Sequence, residues 1–128
     1  MFQRIQFQSL PATDVTRAME FYRDILGMPV QTDHPMPDGG RWVFMQMGNS
    51  ETLLHLGHFA MKPDAQGTVP MLALTSDDVD AEAEKMKSAG VELVDDARAA
   101  PWNEHVRYAT FRDCEGNLVM MQSSSKES

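Results

Sequence analysis

Hydrophobic and polar residues follow two different periods along this chain, and the switch from one to the other occurs twice. In residues 13–30, TDVTRAMEFYRDILGMPV, the apolar positions Val15, Ala18, Met19, Tyr22, Ile25 and Leu26 stand at offsets 0, 3, 4, 7, 10 and 11. That spacing lines them along one face of an α-helix. Thr13 or Asp14 can accept the free N–H groups of the first turn, Gly27 supplies a left-handed stop, and Pro29 follows it. Residues 76–94, SDDVDAEAEKMKSAGVELV, repeat the pattern, with acidic residues at the start, Val79, Ala83 and Met86 on one face, and Gly90 as the stop.

Around each helix the period falls to two. Strands are predicted over 3–10, 28–32, 41–47 and 52–59, and again over 69–75, 91–96, 105–111 and 117–122. In the first of these, Ile5, Phe7 and Ser9 fall on one side and Gln6, Gln8 and Leu10 on the other. Pro and Gly place loops at 34–40 and 97–103, turns at 48–51 and 113–116, and a polar linker at 62–68. The expected fold is therefore α+β, with two tandem β-α-β-β-β modules. Module one covers 1–61 and module two 68–122, in a single domain over 1–122, and 123–128 reads as a disordered tail. An amphipathic helix covers one face of each sheet. The other face of a curved, mixed sheet is then left to border a cavity, which is where a ligand is expected.

Composition narrows the function. The 128 residues suit one domain with a sizeable core, and the 42% apolar and 23% charged shares are ordinary for a globular chain. No apolar run reaches the length of a membrane span, and MFQRIQFQSL lacks the apolar core of a secretion signal, so the expected location is cytoplasmic. Cys114 is the single cysteine, which rules out an intrachain disulfide and a multi-cysteine metal site within one chain. Seven Arg and four Lys are scattered through a chain of net charge −8, which argues against nucleic acid and anionic membranes as partners.

Four stretches together resemble the vicinal oxygen chelate superfamily, which includes glyoxalase I, extradiol dioxygenases, and fosfomycin- and bleomycin-resistance proteins. They are Asp14, Val15, Ala18, Phe21–Asp24, Leu26 and Gly27 with Arg41–Val43; Ala73 and Leu74 leading into Asp77–Ala81; Pro101 and Trp102; and Phe111–Asp113 with Glu115–Leu118. The resemblance covers nearly the whole chain and implies the glyoxalase-like fold and a homodimer. It also implies four metal-ligand positions, which fall on Phe7, His55, Met71 and Met120. Of these, His55 alone suits a hard divalent ion, because a phenyl ring offers no lone pair and thioethers prefer soft metals. No cofactor is therefore expected. If the first strand is shifted by one residue, Gln6 or Gln8 could join His55, and a divalent metal remains the alternative.

The candidate ligand-binding residues are Phe7, His55, Met71, Trp102, Tyr108 and Met120. His55 is equally readable as a general base or as a hydrogen-bonded core histidine. Met45, Met47, Met71, Met120 and Met121 could line an adaptable pocket or simply fill the core, and the resemblance favours the pocket for Met71 and Met120. Trp42 and Trp102 could stack on a planar ligand or be buried, with Trp102 the better candidate. Cys114 has no activating neighbour, since Arg112 and Asp113 offset one another. His34, His58 and His105 read as structural or exposed.

Three functions remain open on these residues. The first is a metal-independent small-molecule binding protein of the bleomycin-resistance type, holding an apolar or aromatic ligand. The second is a metal-dependent lyase, isomerase or dioxygenase with an altered ligand set. The third is a metal-free enzyme using His55 as base, for which no oxyanion stabiliser is evident.

Overall fold

The computed structural model describes residues 1–37, 40–57 and 70–123. The chain divides into two compact units, Met1–Asp64 and Ala65–Ser128. Each is a β-α-β-β-β module with its own four-stranded mixed sheet.

Module one runs β1 (Phe7–Pro11), α1 (Val15–Glu20), β2 (Val30–Pro35), β3 (Arg41–Met45) and β4 (Leu53–Gly57). The sheet order is β1-β4-β3-β2, with β1 parallel to β4 and the other pairs antiparallel. The Asp14 carboxylate caps α1 by accepting the Arg17 N–H at 3.0 Å. Past Glu20 the helix widens into a π-helical turn over Phe21–Ile25, closed by the Leu26 N–H on the Phe21 carbonyl at 3.3 Å. The wider turn changes the phase of the apolar stripe. Phe21 and Tyr22 are both buried, 5.2 Å apart at their ring centroids, whereas Ile25 and Leu26 are only half-buried. Gly27, at φ +77°, then ends the helix in the left-handed region.

Beneath this helix lie Leu10, Val43, Met45, Leu54 and Leu56, each almost completely buried. Arg41 shares their side of the sheet. It donates to Thr16 Oγ1 on α1 at 2.6 Å and pairs with Asp33 of β2.

Module two runs β5 (Leu72–Thr75), α2 (Val79–Ser88), β6 (Leu93–Ala100), β7 (Asn103–Arg112) and β8 (Leu118–Gln122), in the order β5-β8-β7-β6. Again the first and last strands are parallel. Asp78 caps α2 through the Ala81 N–H at 3.0 Å, and Val79, Ala83 and Met86 are its buried residues. Phe111, Val119, Ala109 and Met121 are buried on the sheet face whose paired residues include Leu72–Val119 and Leu74–Met121.

The structure departs from the periodicity at the edges. β1 begins at Phe7, not at residue 3, and β2 continues through His34 and Pro35 into the expected loop. β2 is an edge strand, where a proline costs no ladder bond on its outer side. β6, also an edge, continues to Ala100 through most of the expected 97–103 loop, because pairing with β7 overrides the weak strand preference of DARAA. His58, the 62–68 linker and the tail beyond Ser123 lie outside the described residues.

One irregularity recurs. In β2 the register shifts between Val30, opposite Met45, and Thr32, opposite Phe44. In β6 it shifts between Leu93, opposite Phe111, and Asp95, opposite Thr110. In a regular strand residues two apart share a face. Each shift instead turns Thr32 and Asp95 away from the helix side.

Candidate functional site

In module one the face away from α1 is aromatic. Cross-strand pairing sets Ser9 and Phe44 on either side of His55, with Phe7 two residues before Ser9 and Trp42 two before Phe44. Ring centroids of Trp42, Phe44 and Phe7 lie 4.0, 5.3 and 5.5 Å from the His55 ring, and Phe7 and Phe44 meet edge to face at 5.2 Å. His55 is only 1% exposed, while Phe7 and Trp42 remain open to solvent.

The imidazole is positioned from two sides. Its Nδ1 lies 2.9 Å from Ser9 Oγ, a hydrogen bond whose direction depends on the tautomer. Its other edge leans over Gly57, where an added Cβ would meet Cε1 at 2.6 Å and Nε2 at 2.9 Å. Burial lowers the pKa of His55 below its ordinary value of 6.5, so the ring is neutral at neutral pH. A neutral imidazole held under three aromatic rings can take part in a hydrogen bond or a stack, and it keeps a lone pair for proton transfer.

The first strand carries no bulge, since Phe7 to Pro11 pair in unbroken register with Leu53 to Gly57. Phe7 and Ser9 therefore share the face of His55, and Gln8 alternates to the other. Gln6 precedes β1 and accepts the Leu53 N–H through its backbone carbonyl. The shifted register that would have set Gln6 and Gln8 beside His55 is not adopted, because the continuous β1–β4 ladder fixes the alternation.

In module two the face away from α2 carries Tyr108, Thr110 and Met120, with Met120 half-buried between its strand partners Thr110 and Ala73. Met71 stands just before β5, two residues ahead of Ala73, and its N–H donates to the Leu118 carbonyl at 2.8 Å. Tyr108 packs with Ala100, Val106 and Met120. Trp102, 57% exposed in the β6–β7 turn, sits 5.3 Å from the Tyr108 ring. Two further residues join them. Arg98 Nε donates to Tyr108 Oη at 3.2 Å and its Nη2 to Asp95 Oδ1 at 2.6 Å, while Thr110 Oγ1 donates to Asp95 Oδ2 at 2.7 Å.

Ser9, Phe44, Asp95, Arg98 and Thr110 were not singled out by sequence reasoning. The alternation around His55 already contained Ser9 and Phe44. Asp95 and Arg98 were hidden by the shift in β6 and by the loop expected at 97–103. Met45 and Met121 belong to the helix-side cores. His34 stands on the open side opposite Trp42, and His105 is exposed.

Neither module by itself offers a set that fits a hard divalent ion. The positions that the resemblance implies are His55 and the phenyl ring of Phe7 in module one and, in module two, the thioethers of Met71 and Met120. Among the described residues no three of His, Cys, Asp and Glu come together in a group able to hold a metal ion.

A family model described as Glyoxalase/Bleomycin resistance protein/Dioxygenase superfamily matches residues 4–121. Among solved structures, TnmS3, an antibiotic binding protein from Streptomyces sp. CB03234, is 31% identical with a TM-score of 0.81, over 97% of this chain and 98% of that one. Among curated relatives, the uncharacterized protein YetH of Bacillus subtilis is 25% identical over 95% of this chain and 99% of its own. Mitochondrial methylmalonyl-CoA epimerase of Mus musculus is 27% identical over 94% of this chain and 73% of its own.

Proposed function

The chain belongs to the Glyoxalase/Bleomycin resistance protein/Dioxygenase superfamily, and on that premise we propose that it is a metal-independent binding protein for an apolar or aromatic small molecule. The observation that carries this reading is the aromatic face of module one, where Phe7, Trp42 and Phe44 surround a neutral, buried His55. Planar ligands gain area and favourable ring geometry on such a surface. The likeness to an antibiotic binding protein supports the same class of activity. The donor set supports the metal-free part of the reading, because an enediolate or dioxygen chemistry needs a held Lewis acid that these residues are poorly suited to supply.

Fluorene, a planar hydrocarbon, is a suitable probe, titrated against intrinsic tryptophan fluorescence. Saturable binding is expected, weakened at least tenfold in Phe44→Ala, as for truncation of a central aromatic contact. Elemental analysis, before and after exposure to Fe(II), Mn, Ni and Zn followed by desalting, should find no stoichiometric metal. Near-stoichiometric metal that disappears in His55→Ala would overturn the metal-free reading.

A cytoplasmic homodimer is part of the same proposal. The fully exposed Phe2 and the largely exposed Ile5 in the N-terminal segment give it apolar surface to cover, and light scattering on purified protein tests it.

A further inference from the structure

We propose that the module two face away from α2 holds a second recognition element, in which the exposed Arg98, backed by the buried Tyr108, selects planar aromatic ligands bearing a neutral carbonyl oxygen. The inference deepens the small-molecule-binding reading and rests on it for the class of ligand. Its own basis is a set of polar groups with unused donors beside an exposed aromatic ring.

The guanidinium is held on three sides. Nε donates to the Tyr108 hydroxyl, Nη2 donates to Asp95, and the carbon centre lies 5.6 Å from the Tyr108 ring centroid. Asp95 is itself fixed by Thr110 Oγ1. Among the described residues nothing accepts from Arg98 Nη1, and nothing accepts the Tyr108 hydroxyl proton. A preorganised guanidinium loses less freedom on binding than a free one. The exposed Trp102 ring stands 5.3 Å from Tyr108 and supplies the apolar platform beside these donors.

Charge decides between acceptors. Asp95 already balances Arg98, and the chain carries a net charge of −8, so a carboxylate ligand would meet a nearby like charge. A neutral carbonyl takes a charge-assisted hydrogen bond from Nη1 without that repulsion. The β6 register shifts make the arrangement. Asp95 pairs with Thr110 and Arg98 with Tyr108, so the carboxylate and guanidinium reach the same side of the sheet three residues apart.

Fluorene and 9-fluorenone share one planar skeleton and differ by a carbonyl. Both are titrated in a Trp42→Phe background, where Trp102 is the remaining tryptophan and its quenching reports this face. Fluorenone should bind roughly fivefold to tenfold more tightly than fluorene, the size of one charge-assisted hydrogen bond partly open to water. Arg98→Met should bring that ratio to about one. Arg98→Lys, which keeps the charge and loses the fork, should leave an intermediate ratio and decides the matter if Arg98→Met does not fold. Equal affinity for the two probes in the Trp42→Phe protein, or an unchanged ratio in the Arg98 variants, overturns this inference and leaves the binding function standing. Failure of fluorenone to quench Trp102 in the Trp42→Phe protein overturns this inference, and failure of both probes to bind the native protein overturns the binding reading as well.

Discussion

The His55 imidazole occupies the space in which a side chain at residue 57 would begin. A Cβ on Gly57 would lie 2.6 Å from Cε1 of that ring, far inside van der Waals contact. The ring has little room to yield, with Trp42 4.0 Å away and Ser9 Oγ 2.9 Å from Nδ1. Replacing a glycine by alanine gains about 0.4–1 kcal/mol by restricting the unfolded chain, whereas forcing an atom into a packed site costs about 1–3 kcal/mol. The clash wins. Gly57→Ala should lose about 1–2 kcal/mol in denaturant unfolding, and unaltered stability would show that the ring is loosely held.

A second expectation concerns pH. Burial keeps the folded-state pKa of His55 below 6.5, so the unfolded chain takes up a proton at a pH where the folded chain does not. The stability this provides is fully present above pH 6.5 and is lost as the pH falls from there through the lower folded value. The loss can reach about 1.4 kcal/mol per pH unit inside that window. Unfolding free energies measured from pH 7 downward should therefore fall more steeply for the native protein than for His55→Gln. Parallel curves would mean that the imidazole is protonated in the fold as readily as outside it.

A third expectation tests the start of α2. Asp78 Oδ1 accepts the Ala81 N–H at 3.0 Å, and its own N–H is taken by Ser76 Oγ at 3.0 Å. Asp78→Ala removes the cap and a negative charge at the positive end of the helix, at a cost of about 1 kcal/mol. Thermal unfolding should show the melting temperature falling by about 4 °C, while Asp78→Asn should recover most of it.

The modules were legible in the sequence because their signals are local. Val79, Ala83 and Met86 are the buried residues of α2, as their spacing requires, and Asp14 and Gly27 bound the first helix where their chemistry allows. The alternation of LLHLG sets His55 opposite in direction to the buried Leu54 and Leu56. The π-helical turn was not legible, since nothing in the apolar spacing of residues 13–30 marks where one turn will widen, and the half-burial of Ile25 and Leu26 follows from that widening. Nor were Asp95 and Arg98. Their shared direction depends on how β6 slips against β7, a tertiary event written in no pattern of β6 alone. The tilt of the imidazole over Gly57 was equally hidden, because sequence shows that residue 57 is small but not what fills the space.

The parallel pairing of β1 with β4 also bears on how quickly the aromatic face can form. Ser9 and His55 are bonded across 46 positions of chain, and among the described residues β1 pairs with β4 alone. The loop between them must close before this contact returns any energy, which makes it a late and slow event on the way to the native state. The hairpin of β3 and β4 can bring Trp42 and Phe44 to His55 early, but the imidazole gains Ser9 and Phe7 only when β1 docks. In a refolding experiment followed by tryptophan emission, the final phase would then report the docking of the N-terminal strand.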